Sequence, residues 1–203
     1  IIAEEFDYIQ IAKEYEIAGA SAISVLTEPH FFQGKDQYLS EIKEQVKLPL
    51  LRKDFVISPY QIYQAKVIGA SAILLICAIL TQEELREYHA LATELGLSVL
   101  VEAHDEREID MAIECGAKII GVNNRNLKNF TVSIDNCIEL RKRIPESILY
   151  IAESGMKTKE DIRTLYDAKV DAVLIGETMM RSENKKKTLS ELNSLLPFRQ
   201  ECV

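Results

Sequence analysis

A regular alternation of short apolar runs with longer amphipathic stretches constrains the fold of this sequence more than any other feature. Seven runs are rich in Ile, Val and Leu, and none of them alternates apolar with polar positions. Such runs are typical of strands that are buried on both faces of a parallel sheet. They cover residues 22–26, 48–51, 72–76, 97–101, 118–122, 148–152 and 171–175.

Stretches with helical periodicity fill the gaps between these runs. The stretch 81–94 shows the clearest boundary signals. Thr81 is a typical N-cap, Glu84 stands three residues later as in a capping box, and Gly96 follows the end. Residues 6–18, 105–115 and 158–168 fit the same template. Strands that alternate with helices at this spacing predict βα units and a parallel sheet.

The number of units favours a barrel. The sequence opens with a predicted helix that has no strand before it, and seven strands are an awkward number for an open sheet. We therefore expect an α/β fold of the (βα)8 TIM-barrel type, a single domain over residues 1–203 whose first strand is absent. The alternative is a doubly wound open sheet, but its GxGxxG and GxxxxGK[ST] motifs do not occur in the sequence.

Composition narrows the range of partners. Asp and Glu number 32 against 24 for Lys and Arg, a net charge of −8, which disfavours nucleic acid and anionic membranes. The uncharged run 67–80 is too short to span a bilayer, and no signal peptide is recognisable. The cysteines have no CxxC spacing, which predicts buried thiols in a reducing cytoplasm; they are Cys77, Cys115, Cys137 and Cys202.

Polar residues follow several of the apolar runs, at the strand ends where barrels carry their catalytic groups. Lys53 follows the second run, where lost hydration would lower its pKa towards a proton-transfer role; the alternative is a surface lysine paired with Asp54. Glu102 emerges from Val99, Leu100 and Val101, which suits a general base with a raised pKa. The alternative for Glu102 is a helix cap or an ion pair with Lys53. The two strands would be the third and fifth of the full barrel, so we expect Lys53 and Glu102 to face one another across the mouth of the barrel, the end at which the strands terminate.

Further candidates follow the later runs. Asn123 follows the fifth run, and Glu153 and Ser154 follow the sixth. Asn123 and Ser154 could orient a substrate by hydrogen bonds, and Arg125 could pair with a carboxylate. Asn124 is interpreted as a turn residue.

Gly155 and Gly176 follow the last two strands, where many barrels bind phosphate with backbone N–H groups and a short helix. Residues 177–181 have the right length for that helix, although Glu177 in its first turn would compete with an anion. His30, His89 and His104 have no partner at metal-ligand spacing, so we expect no metal site and assign all three to loop or solvated positions.

Six motifs, in order along almost the whole chain, resemble indole-3-glycerol phosphate synthase. They are AISVLTE with FFQG (22–34), LRKDF (51–55), VEAHDE (101–106), GVNNRNL (121–127), AESG (152–155) and LIGE (174–177). The resemblance implies a (βα)8-barrel carboxy-lyase of tryptophan biosynthesis that uses no cofactor. Its reaction converts 1-(2-carboxyphenylamino)-1-deoxyribulose 5-phosphate into indole-3-glycerol phosphate, carbon dioxide and water.

The resemblance also assigns roles to residues. Lys53 matches the family's general acid, which protonates the substrate carbonyl oxygen, and Glu102 matches the general base of the later dehydration. Three residues match positions around the reacting centre: Asn123, Glu153 and Ser154. Arg125 matches a nearby polar contact, and the phosphate-binding end is matched by Gly155, Gly176 and Glu177. We expect a small phosphorylated substrate, no nucleic-acid or membrane partner, and a monomer or weak homodimer in the cytoplasm.

The sequence departs from the family pattern at its start. The family's first strand carries a glutamate, a lysine and a Ser-Pro-Ser loop, and this sequence begins after that strand, at Ile1. We therefore expect a seam between strands 22–26 and 171–175, and no activity from these 203 residues alone. Two alternatives stay open: another phosphate-binding barrel such as phosphoribosylanthranilate isomerase, whose Cys and Asp pair is not found at these strand ends, and a non-catalytic barrel.

Overall fold

The computed structural model describes residues 6–125 and 132–197. Cys202 and the last two residues of the GVNNRNL motif lie outside these ranges. Seven strands are present in the described ranges: β1 (Ile23–Leu26), β2 (Leu50–Lys53), β3 (Ala72–Ile76), β4 (Ser98–Ala103), β5 (Ile119–Asn123), β6 (Leu149–Glu153) and β7 (Ala172–Leu174). All seven apolar runs are thus confirmed as strands.

Helices connect the strands, as the sequence predicts. They are α1 (Tyr8–Ala18), α2 (Asp36–Gln45), α3 (Pro59–Val67), α4 (Gln82–Glu94), α5 (Glu106–Glu114), α6 (Asp135–Leu140), α7 (Lys159–Asp167), α8 (Glu177–Arg181) and α9 (Lys185–Leu192). Short 3₁₀ turns follow β3 (Cys77–Ile79) and α6 (Arg141–Arg143). Thr81 forms the expected capping box with Glu84, and Gly96 after α4 has a φ of 72°.

The seven strands form one parallel sheet in the order β1-β2-β3-β4-β5-β6-β7. A doubly wound sheet reverses its strand order at a switch point, so this monotonic order makes that alternative wrong and confirms the barrel-type architecture. Within the residues that the structure covers, β1 and β7 are the edges and do not pair with each other. This is the seam that the sequence predicts. The helices nearest the two ends, α1 and α9, pack together, and Lys185 Nζ lies 3.4 Å from Glu14 Oε2.

Apolar side chains pack on both faces of the sheet. The larger cluster lies between the sheet and the helices, and the smaller one, on the inner face, contains Leu51, Leu74, Ile76 and Leu100. Cys77, Cys115 and Cys137 are buried free thiols, as predicted. None of the helices described is long and apolar enough to cross a membrane.

The strands extend further than the sequence predicts, and this moves the candidate residues. Lys53, Glu102, Asn123 and Glu153 do not follow their strands; each lies inside one, at or near its carboxyl end. Because successive side chains of a strand point to opposite faces, Lys53 shares the inner face with Leu51, and Glu102 shares it with Leu100. The alternation of side chains along each strand therefore places these charged groups on the inner face of the sheet, next to the smaller apolar cluster.

Candidate active site

The centre of the candidate site is a lysine between two carboxylates from different strands. Lys53 Nζ on β2 lies 3.5 Å from Glu102 Oε2 on β4 and 3.4 Å from Glu153 Oε2 on β6. The carboxylates are almost fully buried, whereas the Lys53 side chain is 18% exposed and opens to the mouth. Sequence reasoning predicted that Lys53 and Glu102 would meet across the mouth, and the structure adds Glu153 as a direct partner of Lys53.

The charge state of Lys53 differs from the sequence-based expectation. Burial by itself lowers the pKa of this ammonium, but the carboxylates of Glu153 and Glu102 outweigh burial, and the pKa lies above its usual value. The expectation of a lowered pKa was therefore wrong, because desolvation was considered without the second carboxylate. The raised pKa keeps the Lys53 side chain in its protonated form at neutral pH.

The pKa values of the Glu102 and Glu153 carboxyl groups move in opposite directions. Burial raises the pKa of Glu102, but contacts with His104, Lys53 and Asn123 outweigh burial and hold it well below its usual range. The raised pKa expected for Glu102 was wrong. Burial, together with the charge of Glu102, instead raises the pKa of Glu153 to about 7 despite its contact with Lys53. Glu153 is therefore the carboxyl group that can change protonation state near neutral pH.

His104 belongs to this cluster. It lies in the loop directly after β4, as predicted, but its side chain is largely buried rather than solvated. Its ring Nε2 lies 3.3 Å from Glu102 Oε1, and its Nδ1 lies 3.0 Å from Glu108 Oε2. The apolar run predicts that the fourth strand ends at residue 101. In the structure β4 continues to Ala103, so His104 lies at the mouth. A histidine two residues after an inward-facing glutamate was the signal that could have identified it.

Asn123, the last residue of β5, contacts Glu102, and Arg125 follows two residues later. Asn123 Nδ2 donates a hydrogen bond to Glu102 Oε1 at 3.2 Å, and Asn123 Oδ1 accepts one from the Arg125 backbone N–H at 3.0 Å. Asn123 thus contacts Glu102 directly, and its part in a reaction stays a prediction. Arg125 lies just beyond the strand, where its charge helps to lower the pKa of Glu177, after the larger effect of Arg181.

A left-handed turn follows β6. Ser154 has a φ of 65° and Gly155 one of 91°, and a Cβ on Gly155 would lie 2.6 Å from Val132 Cγ1, so the turn requires glycine there. Asn124 is buried and holds this turn: its Nδ2 donates to Ser154 O at 3.1 Å, and its Oδ1 accepts from the Cys137 N–H at 3.3 Å. Interpreting Asn124 as a turn residue missed this bridging role.

The short helix predicted at residues 177–181 is present as α8, with Gly176 as its N-cap. Because β6 pairs with β7, the turn at Ser154 and the start of α8 follow neighbouring strands at one edge of the sheet. Glu177 Oε1 lies 2.9 Å from Arg181 Nε, so the expected competitor for an anion is paired within its own helix.

An aromatic cluster lies beyond the end of β2. The ring of Phe55 stacks on Phe32 at 5.2 Å and meets Phe31 edge-on at 5.9 Å. The loop that carries Phe31 and Phe32 is held by the buried Glu28, whose carboxylate accepts backbone N–H groups of residues 30–32. This cluster places an apolar, aromatic surface two residues from Lys53.

Comparison with known proteins decides the family. The family model described as indole-3-glycerol phosphate synthase matches residues 1–192. The chain belongs to the indole-3-glycerol phosphate synthase family. The proteins of that name from Lachnoclostridium phytofermentans and Ruminiclostridium cellulolyticum are 56% and 57% identical over 196 and 192 residues. These alignments cover 97% and 95% of this chain and 72% and 74% of the relatives.

Solved structures agree with the architecture. The 3-hexulose-6-phosphate synthase from Salmonella typhimurium superimposes with a TM-score of 0.78 at 14% identity, covering 92% of this chain and 90% of that one. At this identity the likeness concerns the fold alone.

Two further observations concern the isomerase alternative and metal binding. Cys77 follows β3 directly, but burial raises the pKa of its thiol to about 12, which does not suit the acid–base cysteine of an isomerase. No group of three or more His, Cys, Asp or Glu side chains in the described parts of the chain is arranged to hold a metal ion.

Proposed function

We propose that this protein catalyses the indole-3-glycerol phosphate synthase reaction, a step of tryptophan biosynthesis. The substrate is 1-(2-carboxyphenylamino)-1-deoxyribulose 5-phosphate, and the enzyme is a carboxy-lyase that closes the indole ring with loss of carbon dioxide and water. One observation carries the proposal: the Lys53 ammonium lies within 3.5 Å of the Glu102 and Glu153 carboxylates at the carboxyl ends of three strands.

Lys53 is the general acid in this proposal. Ring closure joins an aromatic carbon to the carbonyl carbon of the substrate, so the carbonyl oxygen becomes a hydroxyl group and needs a proton. The carboxylate then leaves as carbon dioxide, and its bonding electrons restore the aromatic ring. A protonated lysine beside two carboxylates supports this role, because both carboxylates favour its charged form until the substrate oxygen takes the proton.

Glu102 is the general base of the dehydration and takes a proton from carbon, while the hydroxyl group takes a second proton from the protonated form of Glu153 and leaves as water. The Glu102 carboxylate is ionised and therefore ready to accept a proton. Glu153, whose pKa lies near 7, can return a proton to Lys53 between turnovers. Asn123 orients Glu102 through its side-chain amide, and Ser154 completes the polar wall after β6.

The phosphate group is proposed to bind at Gly155 and Gly176, mainly through backbone N–H groups at the left-handed turn and at the start of α8. The pairing of Glu177 with Arg181 leaves these N–H groups free of a competing carboxylate, and Arg125 supplies a nearby positive charge. The aromatic cluster of Phe31, Phe32 and Phe55 offers an apolar wall to the carboxyphenyl ring. The cytoplasmic location and the monomer or weak homodimer stay predictions.

Turnover of the carboxyphenylamino-deoxyribulose phosphate by the full-length protein tests the proposal. Lys53→Ala should lower kcat about 10²–10⁴-fold with little change in KM, because the donated proton matters mainly in the transition state. Glu102→Gln should give a similar loss. Lys187→Ala, which removes an exposed lysine of α9, is the matched control and should leave kcat unchanged.

Three outcomes would contradict parts of this proposal. A folded full-length protein without turnover would favour the non-catalytic barrel. Retention of more than about a tenth of kcat by Lys53→Ala or Glu102→Gln would remove that residue from its role. We expect residues 1–203 alone to be inactive, and robust turnover by them would contradict the need for the family's first-strand lysine.

The phosphate site has a separate test. A crystal structure of the full-length protein with inorganic phosphate should show the anion against the backbone of Gly155 and Gly176. An anion bound only at another place would contradict this assignment.

A further inference from the structure

The imidazole of His104 lies between two carboxylates. Its Nε2 is 3.3 Å from Glu102 Oε1, an ion-pair contact that is not aligned as a hydrogen bond, and its Nδ1 is 3.0 Å from Glu108 Oε2. A neutral imidazole has one N–H, so its other nitrogen would turn a lone pair towards a carboxylate. Only the imidazolium ion has an N–H, and no lone pair, on both of the nitrogens that lie near these carboxylates. The geometry therefore favours a positively charged ring.

The ring is fixed by α5 rather than by the active-site strands. Glu108 Oε2 accepts the His104 backbone N–H at 2.8 Å as well as facing the ring Nδ1 at 3.0 Å. The Glu108 N–H in turn donates to the N-cap Asp105 at 2.9 Å, and Asn136 Nδ2 donates to His104 O at 3.3 Å. A carboxylate that orients a histidine, which in turn faces a reacting group, is an arrangement that enzymes use to fix imidazole orientation and charge.

We propose that His104 is a positioning residue that, held by Glu108, keeps the Glu102 carboxylate ionised and turned towards the mouth of the sheet. The proposal deepens the function proposed above and rests on it for the role of Glu102. His104 and Asn123 engage Oε1 of Glu102, and this leaves Oε2 to face Lys53 and the substrate. When Lys53 gives its proton to the substrate, its charge is lost, and His104 becomes the cation that keeps Glu102 a carboxylate for the next step.

The sign of the effect follows from the charges around the pair. An opposite charge within about 4–6 Å lowers the pKa of a carboxyl group by about 1–3 units, so removing the imidazolium raises that of Glu102. His104 itself has a pKa raised to about 10 by Glu102 and Glu108, against burial, which lowers it. The titratable or charged groups that face this pair are Lys53 on β2, Glu153 on β6, Cys77 after β3, and Asp105 and Glu108 at the start of α5.

The first test measures protonation without any turnover. The full-length protein is labelled with ¹⁵N-histidine, and the ring signal of His104 is assigned by its loss in His104→Gln. This signal should remain that of imidazolium up to about pH 9. Glu108→Gln should lower its apparent pKa by about one unit or more. A neutral His104 ring at pH 7.5 in the unmodified protein would overturn the proposal even if the proposed reaction takes place.

The second test separates positioning from mere structural support. His104→Gln should lower kcat with KM nearly unchanged and move the acid limb of the kcat–pH profile upward by about one pH unit or more. Glu108→Gln should shift the limb in the same direction by less. His89→Gln on α4, which is outside the cluster, is the matched control and should shift neither quantity.

A loss of kcat in His104→Gln without a shift of the acid limb would mean that the residue only supports the fold. If that variant does not fold, the same criterion applies to Glu108→Gln. If the unmodified protein fails to turn over the substrate, the proposed function fails, whereas the NMR measurement still decides the charge of His104.

Discussion

Two adjacent residues of β2, Arg52 and Lys53, belong to two different clusters of charged side chains. Arg52 points outward, and its Nε, Nη1 and Nη2 donate to the Thr27 hydroxyl, the Gln61 carbonyl and the Gln64 amide at 3.1, 2.8 and 2.9 Å. Its Nη2 also lies 2.9 and 3.1 Å from carboxylate oxygens of Asp36 and Asp54. Each guanidinium nitrogen therefore has a partner at normal distance.

Lys53 points inward, and its cluster is looser. Its two carboxylate contacts are 3.4 and 3.5 Å long, and Glu153 Oε1 is buried without a hydrogen-bond partner among the described residues. An unpaired buried polar atom costs free energy. Asp36 Oδ1 of the outer cluster also lacks an aligned hydrogen bond, but it lies 2.9 Å from the Arg52 guanidinium. The contrast teaches that one strand supplies an anchor on its outer face and reactive groups on its inner face.

The strongest test of this contrast is to remove each cation in turn. Arg52→Met leaves the buried Asp54 carboxylate and the partly exposed Asp36 carboxylate without their cation. It should lower the free energy of unfolding by about 3–5 kcal/mol, measured by urea denaturation. Lys53→Met should cost less, because its contacts are longer and Glu153 can take up a proton near neutral pH. A larger loss of stability in Lys53→Met than in Arg52→Met would break the distinction.

A smaller effect, on kcat, is expected from Gly121→Ala, a change at a residue that lies against the Glu153 carboxylate. A Cβ on Gly121 of β5 would lie 2.1 Å from Glu153 Oε1 and 3.1 Å from Leu100 Cδ1, so Gly121→Ala must displace the carboxylate. The carboxylate must move by about 1 Å to reach a normal contact distance, and a misplacement of about 1 Å should lower kcat about 10²-fold. The loss should not add to that of Glu153→Gln, because both changes act on the same group. Additive losses in the double variant would show that Gly121 acts elsewhere.

The pH dependence of stability should distinguish the clusters as well. His104 has a pKa of about 10 in the folded protein and about 6.5 when unfolded, so the folded state binds more protons between these values. Its contribution is complete below about pH 6.5 and is lost as the pH rises through 10. We expect the free energy of unfolding to fall between pH 6.5 and 8.5 by up to about 1.4 kcal/mol per pH unit.

His104→Gln should flatten this slope, and Arg52→Met should leave it unchanged. Urea denaturation of the two variants at several pH values provides the measurement. An equal slope in His104→Gln and the unmodified protein would contradict the charged state of the ring.

The smallest effect concerns one hydroxyl group of the outer cluster. Thr27 Oγ1 donates to Asp54 Oδ2 at 2.7 Å and accepts from Arg52 Nε. Thr27→Val keeps the shape but leaves that N–H without its acceptor, and should cost about 1 kcal/mol of stability without affecting kcat. Thr93→Val on the exposed face of α4 is the control, and a cost as small as in this control would show that water replaces the lost acceptor.

The alternation of apolar runs was sufficient to predict the strands, the parallel sheet and the meeting of Lys53 with Glu102. It could not predict that Arg52 and Lys53 serve different clusters, because two polar residues in a row carry no mark of which face each takes. That assignment depends on Leu51, whose inward packing fixes the strand phase.

The protonation states were also beyond the sequence. Glu102 and Glu153 both end apolar runs, yet their pKa values move in opposite directions, because His104 and Asn123 contact only Glu102. His104 was missed because β4 extends two residues beyond the apolar run. Strand ends set by backbone pairing, rather than by side-chain polarity, decide which residues reach the mouth.

The strand order has a consequence for how the chain folds. Each strand pairs only with its neighbours along the chain, so every ladder closes a short loop, whereas the packing of α1 on α9 joins the two ends of the described sequence. Contacts between distant segments carry the larger loop-closure entropy and tend to form late. We expect the βα units to assemble progressively and the α1–α9 contact to form last. Weakening that contact should therefore speed unfolding while leaving the folding rate nearly unchanged.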